Sequence, residues 1–193
     1  MQNKIDSIFE ERREHSTERI TLKPQTSEDF DIYYKLWTNE EVIKYISFPK
    51  KTEEELQKTF DTIFAYKDKG YFFKYIIFLK GTNEKIGNFG INAISKLSSR
   101  VDIGYLLLPE YWNKGIMSEI IEMMLNYLFN EIHLNKICAS TFMENIASKK
   151  VLEKFGFKLE GVLKKHNYIE KADKYYDDAK YGLLREEWKK NRY

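Results

Sequence analysis

The chain has 193 residues, a length that suits one domain of ordinary size. A 42% hydrophobic and 16% aromatic content is enough to build a core and excludes a disordered chain, while 32 basic against 30 acidic residues leave a net charge of +2 and no electrostatic reason for a nucleic-acid partner. The single cysteine, Cys138, cannot close an intramolecular disulfide, the opening from Met1 to Ser16 is charged rather than apolar, and no run approaches the ~18 apolar residues of a membrane span, so a soluble, cytoplasmic protein without a membrane partner is expected.

Residues 4–14 carry Ile5, Ile8, Phe9 and Arg12 at the spacing of a short amphipathic helix. Thr17 to Lys23 alternates around Ile20 and Leu22 and predicts a strand. Ser27-Glu28-Asp29 opens a helix through Phe30, Tyr33, Tyr34 and Trp37, and Thr38 or Asn39 can cap a second turn through Val42, Ile43 and Ile46. Thr52 to Glu55 is a capping box ahead of Leu56, Phe60, Ile63 and Phe64. Tyr71 to Leu79 is aromatic and β-branched, Gly81-Thr82-Asn83 turns the chain, and Lys85 to Ile94 returns as the second half of a hairpin. Arg100 to Leu108 is a further strand, stopped by Pro109. Ser118 to Phe129 has the helical period, Lys136 to Phe142 is a strand, and Asn145 to Lys154 is a helix ended by Gly156. Phe157 to Lys164 and Asp177 to Leu184 supply the last strands. The order predicts a mixed sheet with helices on both faces. Cys138, inside an apolar run, reads as a small buried hydrophobe rather than a nucleophile. The pairs Lys164-Lys165 and Lys189-Lys190 read as solvated surface.

The segment from Ile103 to Glu119 is the most informative. An apolar strand runs into a short loop, Tyr111-Trp112-Asn113-Lys114-Gly115-Ile116-Met117-Ser118, and the loop opens a helix. A helix N-terminus carries free N–H groups and the positive end of the dipole, and a glycine lets the backbone approach an anion closely. An ordinary loop with one glycine would read the same way from these residues alone. The stretch resembles the coenzyme A pyrophosphate loop of the GNAT acetyltransferases, in the variant found in the RimJ/RimL branch. Trp112 stands where that family usually has Gln or Arg, and Met117 where it usually has a small residue, which implies one looser phosphate contact. A second segment, Asn145 to Phe157 continued by Leu159-Glu160-Gly161, resembles the family's Asn-x-x-Ser helix and Glu-Gly step, although a plain capped helix also accounts for Asn145 and Gly156. Thr17 to Pro24 resembles the opening strand.

The resemblance implies an α/β (α+β) GNAT fold. Its central sheet is mixed and mostly antiparallel, and it is splayed between the strands at about 100–108 and 136–142. Residues 17–193 would form one acetyltransferase domain, with 1–16 as an N-terminal extension. It also implies acetyl-CoA as cofactor, held by Tyr105, Leu106 and Leu107 on the splayed strand, by Trp112, Asn113, Lys114, Gly115, Ile116, Met117 and Ser118 in the loop, and by Asn145, Ser148 and Lys150 on the later helix. No metal is implied. In this family the amine attacks the thioester directly. That requires an oxyanion donor, for which a backbone N–H between Tyr105 and Leu107 is available, and a group to take the amine's proton. The family's general acid is a tyrosine seven residues after the motif asparagine, and that position is Leu152 here. Asn145 and Ser148 remain as polar groups near the thiol; Glu160 and Asp102 are the candidate bases, in that order, and His166 reads as surface. The implied acceptor is a primary amine, first of all a protein N-terminal α-amine, with a small-molecule amine as the alternative and a non-catalytic coenzyme A-binding module as a third. The acceptor side would be built by residues 30–70 and the Tyr168–Asp178 hairpin, whose Glu170, Asp173, Asp177 and Asp178 could attract a cation. Either a monomer or a homodimer would serve.

Overall fold

A computed structural model describes residues 4–47, 49–66 and 72–190, the last two without their side chains. The strand signals become β1 (His15–Ser16), β2 (Ile20–Pro24), β3 (Phe73–Leu79), β4 (Glu84–Ser95), β5 (Arg100–Leu107), β6 (Lys136–Phe142), β7 (Lys158–Ile169) and β8 (Lys174–Leu184). The helical signals become α1 (Ser7–Glu11), α2 (Phe30–Thr38), α3 (Glu40–Ile43), α4 (Glu53–Ala65), α5 (Ile116–Asn126), α6 (Ile146–Lys154) and α7 (Arg185–Lys190). Tyr71 and Gly70, where the third strand was expected to begin, and the side chains of Lys189 and Lys190 lie outside the described residues. The Thr52 capping box forms in both directions, with Thr52 Oγ1 accepting from Glu55 N–H and the Glu55 carboxylate accepting from Thr52 N–H.

The eight strands make one sheet in the order β1-β2-β3-β4-β5-β6-β8-β7. Every pairing is antiparallel except β5 with β6, which is parallel and runs only from Arg100 opposite Lys136 to Ile103 opposite Ala139. Beyond Ile103 the two strands part, so the expected splay opens at Gly104. The edge strand β7 is almost wholly exposed, is bulged at two places and carries Lys164 and Lys165, the devices that discourage a second strand from pairing.

Alternation along the strands divides the sheet into two faces. Phe73, Tyr75 and Ile77 of β3, Phe89 and Ile91 of β4, and Val101, Ile103 and Leu107 of β5 belong to the main core, packed with Ile120, Ile121 and Met124 of α5 and Leu152 of α6. The residues between them, including Lys74, Asn88, Gly90, Asn92, Asp102, Gly104 and Leu106, face the other way. There Ile32 and Leu36 of α2 cover Ile76 and Leu108, with Leu106 against them, and Leu56 and Phe60 of α4 pack on Tyr33 of α2. Each fully buried aliphatic or aromatic side chain contributes about 1.5–3 kcal/mol, so the α5 face dominates stability.

The opening residues do not stand apart from the domain. Ile5 and Ile8 are fully buried in the main core, Lys4 N–H donates to the Ile132 carbonyl, and β1 extends the sheet beyond β2. The first helix is shorter than its periodicity suggested, because Arg12 takes a left-handed conformation (φ 43°) that stops it. Ile5 and Ile8 thus add to the core beside Ile20 and Leu22 of β2.

Candidate active site

The loop between β5 and α5 is built by backbone geometry. A short 3-10 turn at Pro109–Tyr111 is followed by Trp112 in extended conformation, Asn113 at φ 57° and Gly115 at φ 75°. Both lie in the left-handed region, which glycine and asparagine enter at least cost. Trp112 Nε1 donates to the Leu107 carbonyl at 2.8 Å, so the indole closes the loop back on the strand end. Gly115 is the N-cap of α5 and offers no side-chain cap, leaving the N–H groups of Ile116, Met117 and Ser118 as the open helix mouth. The side chains of Ile116 and Met117 are buried in the main core, so Met117 contributes its N–H at the mouth while its thioether points away. Lys114 and Asn113 are exposed.

A clamp that sequence reasoning missed fixes this loop. Arg19, just ahead of β2, donates to the Lys114 carbonyl at 2.9 Å and pairs with Glu119 in the first turn of α5 at 2.6 Å. Burial pushes the Glu119 carboxyl up, but hydrogen bonds from Thr17 and Arg19 outweigh it and hold the group below its ordinary pKa. A Cβ on Gly115 would stand 3.7 Å from Arg19, so space is available and the positive φ is what demands glycine. The Arg19–Glu119 separation of one hundred positions explains why no local pattern revealed it.

On the same face, where β5 and β6 part, Tyr105 reaches from β5 to α6 and its hydroxyl lies 3.0 Å from Ser148 Oγ. Burial pushes the Tyr105 phenol up to about 12, against a smaller opposing effect of the Ser148 hydrogen bond, so it stays protonated. Asn145 is the N-cap of α6 and accepts from Ser148 N–H at 3.2 Å; Lys150 is exposed on that helix. Leu152 is 1% exposed in the core. Leu106 turns to the opposite face and packs against α2, and Leu107 is buried.

The two carboxylates part company. Glu160 sits at a bulge of β7, lies across Gly182 of β8, and both its oxygens accept from Lys136 Nζ at 2.7 Å. It is three strands from β5 and is occupied by a structural ion pair. Asp102 stands two residues before the splay, on the face opposite Tyr105, and its Oδ1 is buried without a hydrogen-bond partner. Cys138, its neighbour on β6, is half-buried, and burial pushes its thiol up, with the Asp102 charge adding to the effect. His166 is exposed on β7, as expected.

An uncapped helix mouth beside a left-handed glycine, next to a parted pair of strands, fits a cofactor in which a pyrophosphate is joined to an extended thioester arm. Comparison with known proteins agrees. Residues 19–158 match the family model described as an acetyltransferase (GNAT) domain. The chain is 33% identical over 175 residues to the uncharacterized N-acetyltransferase p20 of Bacillus licheniformis, covering 89% of this chain and 96% of that one. It is 28% identical to the ribosomal-protein-serine acetyltransferase of Escherichia coli over 67% of this chain and 69% of that one, and 24% identical to the spermidine N(1)-acetyltransferase of the same organism over 80% and 81%. The crystal structure of a GNAT-family acetyltransferase from Bacillus anthracis superposes with a TM-score of 0.75 at 27% identity, over 90% of this chain and 99% of that one. The chain belongs to the GNAT family: it is an acetyl-CoA-dependent N-acetyltransferase.

Proposed function

We propose that the acceptor is an α-amine carried by a polypeptide N-terminus, and that Asp102 rather than Glu160 receives its proton. The observation that carries this reading is the state of the carboxylates on the acceptor face. Of the hairpin acids expected to draw a cation, Asp178 is buried against Lys180 at 2.6 Å, Asp177 accepts from Lys165 N–H and Asp173 accepts from the Tyr168 hydroxyl, which leaves Glu170 alone, exposed at the hairpin turn. Glu40 pairs with Lys171 and Glu160 with Lys136. A polyamine carries several charges and calls for several free carboxylates close together; a single α-amine calls for one beside the splay, and Asp102 supplies it. Similarity runs to both a ribosomal-protein and a spermidine acetyltransferase, so the chemistry of this face is what favours the first.

Acetyl-CoA, when bound, supplies the electrophilic acetyl carbon. The chain's own residues do the rest. The helix mouth at Ile116 to Ser118 and the left-handed Gly115 hold the phosphates. A backbone N–H between Tyr105 and Leu107, released from the ladder by the splay, serves the developing oxyanion. Asp102 accepts the amine's proton, directly or through a water. Ser148, held by Tyr105, donates toward the departing sulfur on the other side of the gap. The single thiol and the cofactor suit a cytoplasmic enzyme, and no helix among the described residues is long and apolar enough to cross a membrane. The test is a competition for limiting acetyl-CoA between a peptide with a free N-terminus and spermidine. The peptide should lead in kcat/KM by at least about tenfold; a preference for spermidine would overturn the proposal.

A further inference from the structure

The acceptor face holds a second, oppositely charged group that the acetyl-transfer chemistry does not use. Lys74 on β3 is opposite Gly90 of β4, and Gly90 is opposite Gly104 of β5. Two glycines in one row leave a trough in the sheet, running from Lys74 to the strand position where the splay opens. The two ends of the row are two strand spacings apart, about 9.6 Å. Asn92, the residue opposite Asp102, lays its side chain over this floor: its Nδ2 is 3.1 Å from where a Cβ on Gly90 would be and 3.4 Å from where one on Gly104 would be. A β-bulge follows immediately, with Ala93 at φ 45°, a feature that re-aims side chains next to sites.

Among the described residues, three polar groups on or over this face lack side-chain partners. Among the described residues no carboxylate faces Lys74, and burial alone pushes its ammonium pKa down. Asp102 Oδ1 is buried and accepts no hydrogen bond. Tyr33, 4% exposed on the helix that covers the face, has a hydroxyl with no partner. A carboxylate oxygen and a phenol hydroxyl buried without partners are costly in a folded chain, and each calls for a group that would satisfy it. Lys74, Asn92 and Asp102 each keep partial exposure, so the trough is reachable.

We infer that Lys74 and Asn92 form an oxygen-binding subsite that holds the carbonyl or carboxylate adjacent to the acceptor's amine, while Asp102 takes the amine itself. The acceptor class is therefore an α-amine with an oxygen-bearing carbon beside it. Two sources share that chemistry, a free amino acid and the first residue of a polypeptide. A polyamine has no such oxygen and brings a cation toward Lys74, which disfavours it. The inference rests on the acetyl-transfer reading above and adds to it the means by which the acceptor is selected.

The experiment measures acetyl transfer from acetyl-CoA to L-alanine, L-alaninamide, an alanyl peptide and isopropylamine, with the wild-type chain and with Lys74→Met. The wild type should favour the three oxygen-bearing acceptors over isopropylamine by about tenfold or more in kcat/KM. Lys74→Met should raise KM for the favoured acceptors by about tenfold, shrink their advantage over isopropylamine by the same factor, and keep the acetyl-CoA affinity. Preference for L-alanine identifies a free amino acid, and preference for the peptide a polypeptide end. Asn92→Ala should reproduce the KM effect and guards against a variant that does not fold. Turnover of the α-amines with KM unmoved by both variants overturns this inference alone. Failure to turn over any of the oxygen-bearing acceptors overturns the polypeptide reading and this one together. A fall in the thermal midpoint of Lys74→Met with KM unchanged would make Lys74 a structural residue.

Discussion

The two faces of β5 behave differently. On one, Tyr105 is hydrogen-bonded to Ser148, Ser148 is tied to Asn145, and the surrounding side chains are apolar and buried. On the other, two residues before the splay, Asp102 has an oxygen without a partner, and Lys74, two strands away, has no carboxylate beside it among the described residues. The side chains of the Tyr105 face are paired before anything binds, and only backbone N–H groups at the mouth of α5 stay open there, whereas on the other face a charged side chain is left incomplete. A site that receives the same large molecule in every turnover can be pre-formed by a loop and a helix end. A site that must choose among amines can instead leave its charges unmatched until the right one arrives, because the unmet groups are what penalise the wrong acceptor.

Breaking the acceptor side should cost the most. Asp102→Asn keeps the shape and removes the charge, and should lower kcat at neutral pH by about 10²–10⁴-fold with acetyl-CoA affinity retained. Part of the rate should return at higher pH, where more of the amine is already neutral. Glu160→Gln should keep most of the activity, since that carboxylate serves Lys136; steady-state kinetics on both variants would reverse the assignment if Glu160→Gln proved the slower.

Breaking the cofactor side comes next. Gly115→Val should weaken coenzyme A binding about 100-fold, read by calorimetry, because a branched residue resists φ 75° and crowds the helix mouth. The fold should lose only about 1–2 kcal/mol, since the position has room for a Cβ. Equal affinity would mean that the loop is only a loop.

A smaller effect is expected where the satisfied side meets the gap. Tyr105→Phe frees Ser148 from its partner and should cost about tenfold in kcat without a change in acetyl-CoA affinity, as removal of one positioning hydrogen bond typically does. A loss of affinity instead would make Tyr105 a wall of the cofactor channel.

The smallest effect lies at the edge of the sheet, far from both sides. His15 is 7% exposed between Tyr75 and Tyr127, and burial, helped by the Arg13 charge, lowers its pKa from 6.5 to about 4. The folded chain therefore holds it neutral while the unfolded chain protonates it below pH 6.5. Its contribution is present above that pH and is lost progressively as the pH falls toward 4. Between pH 7 and pH 5.5 this amounts to about 1 kcal/mol, or about 2–4 °C of thermal midpoint. His15→Phe should flatten that segment of the stability curve measured by thermal melts.

The sequence by itself determined the parts written in consecutive residues. The glycine loop from Tyr111 to Ser118, the capped helix at Asn145, the capping box at Thr52 and the strand that leads into the loop are each set by neighbours a few positions apart, so pattern and spacing exposed them as structure. Only the tertiary structure decided what depends on side chains meeting across strands. Glu160 and Asp102 look alike as strand carboxylates, and it took the sheet order to bring Lys136 onto one and leave the other unpaired. The Arg19 clamp on the loop, the burial of Ile5 and Ile8, and the row of Lys74, Gly90 and Gly104 have the same origin. A hydrogen bond or an ion pair is set by the few ångströms between two groups, and for residues on different strands that distance is fixed by register and twist, which no local run of sequence encodes.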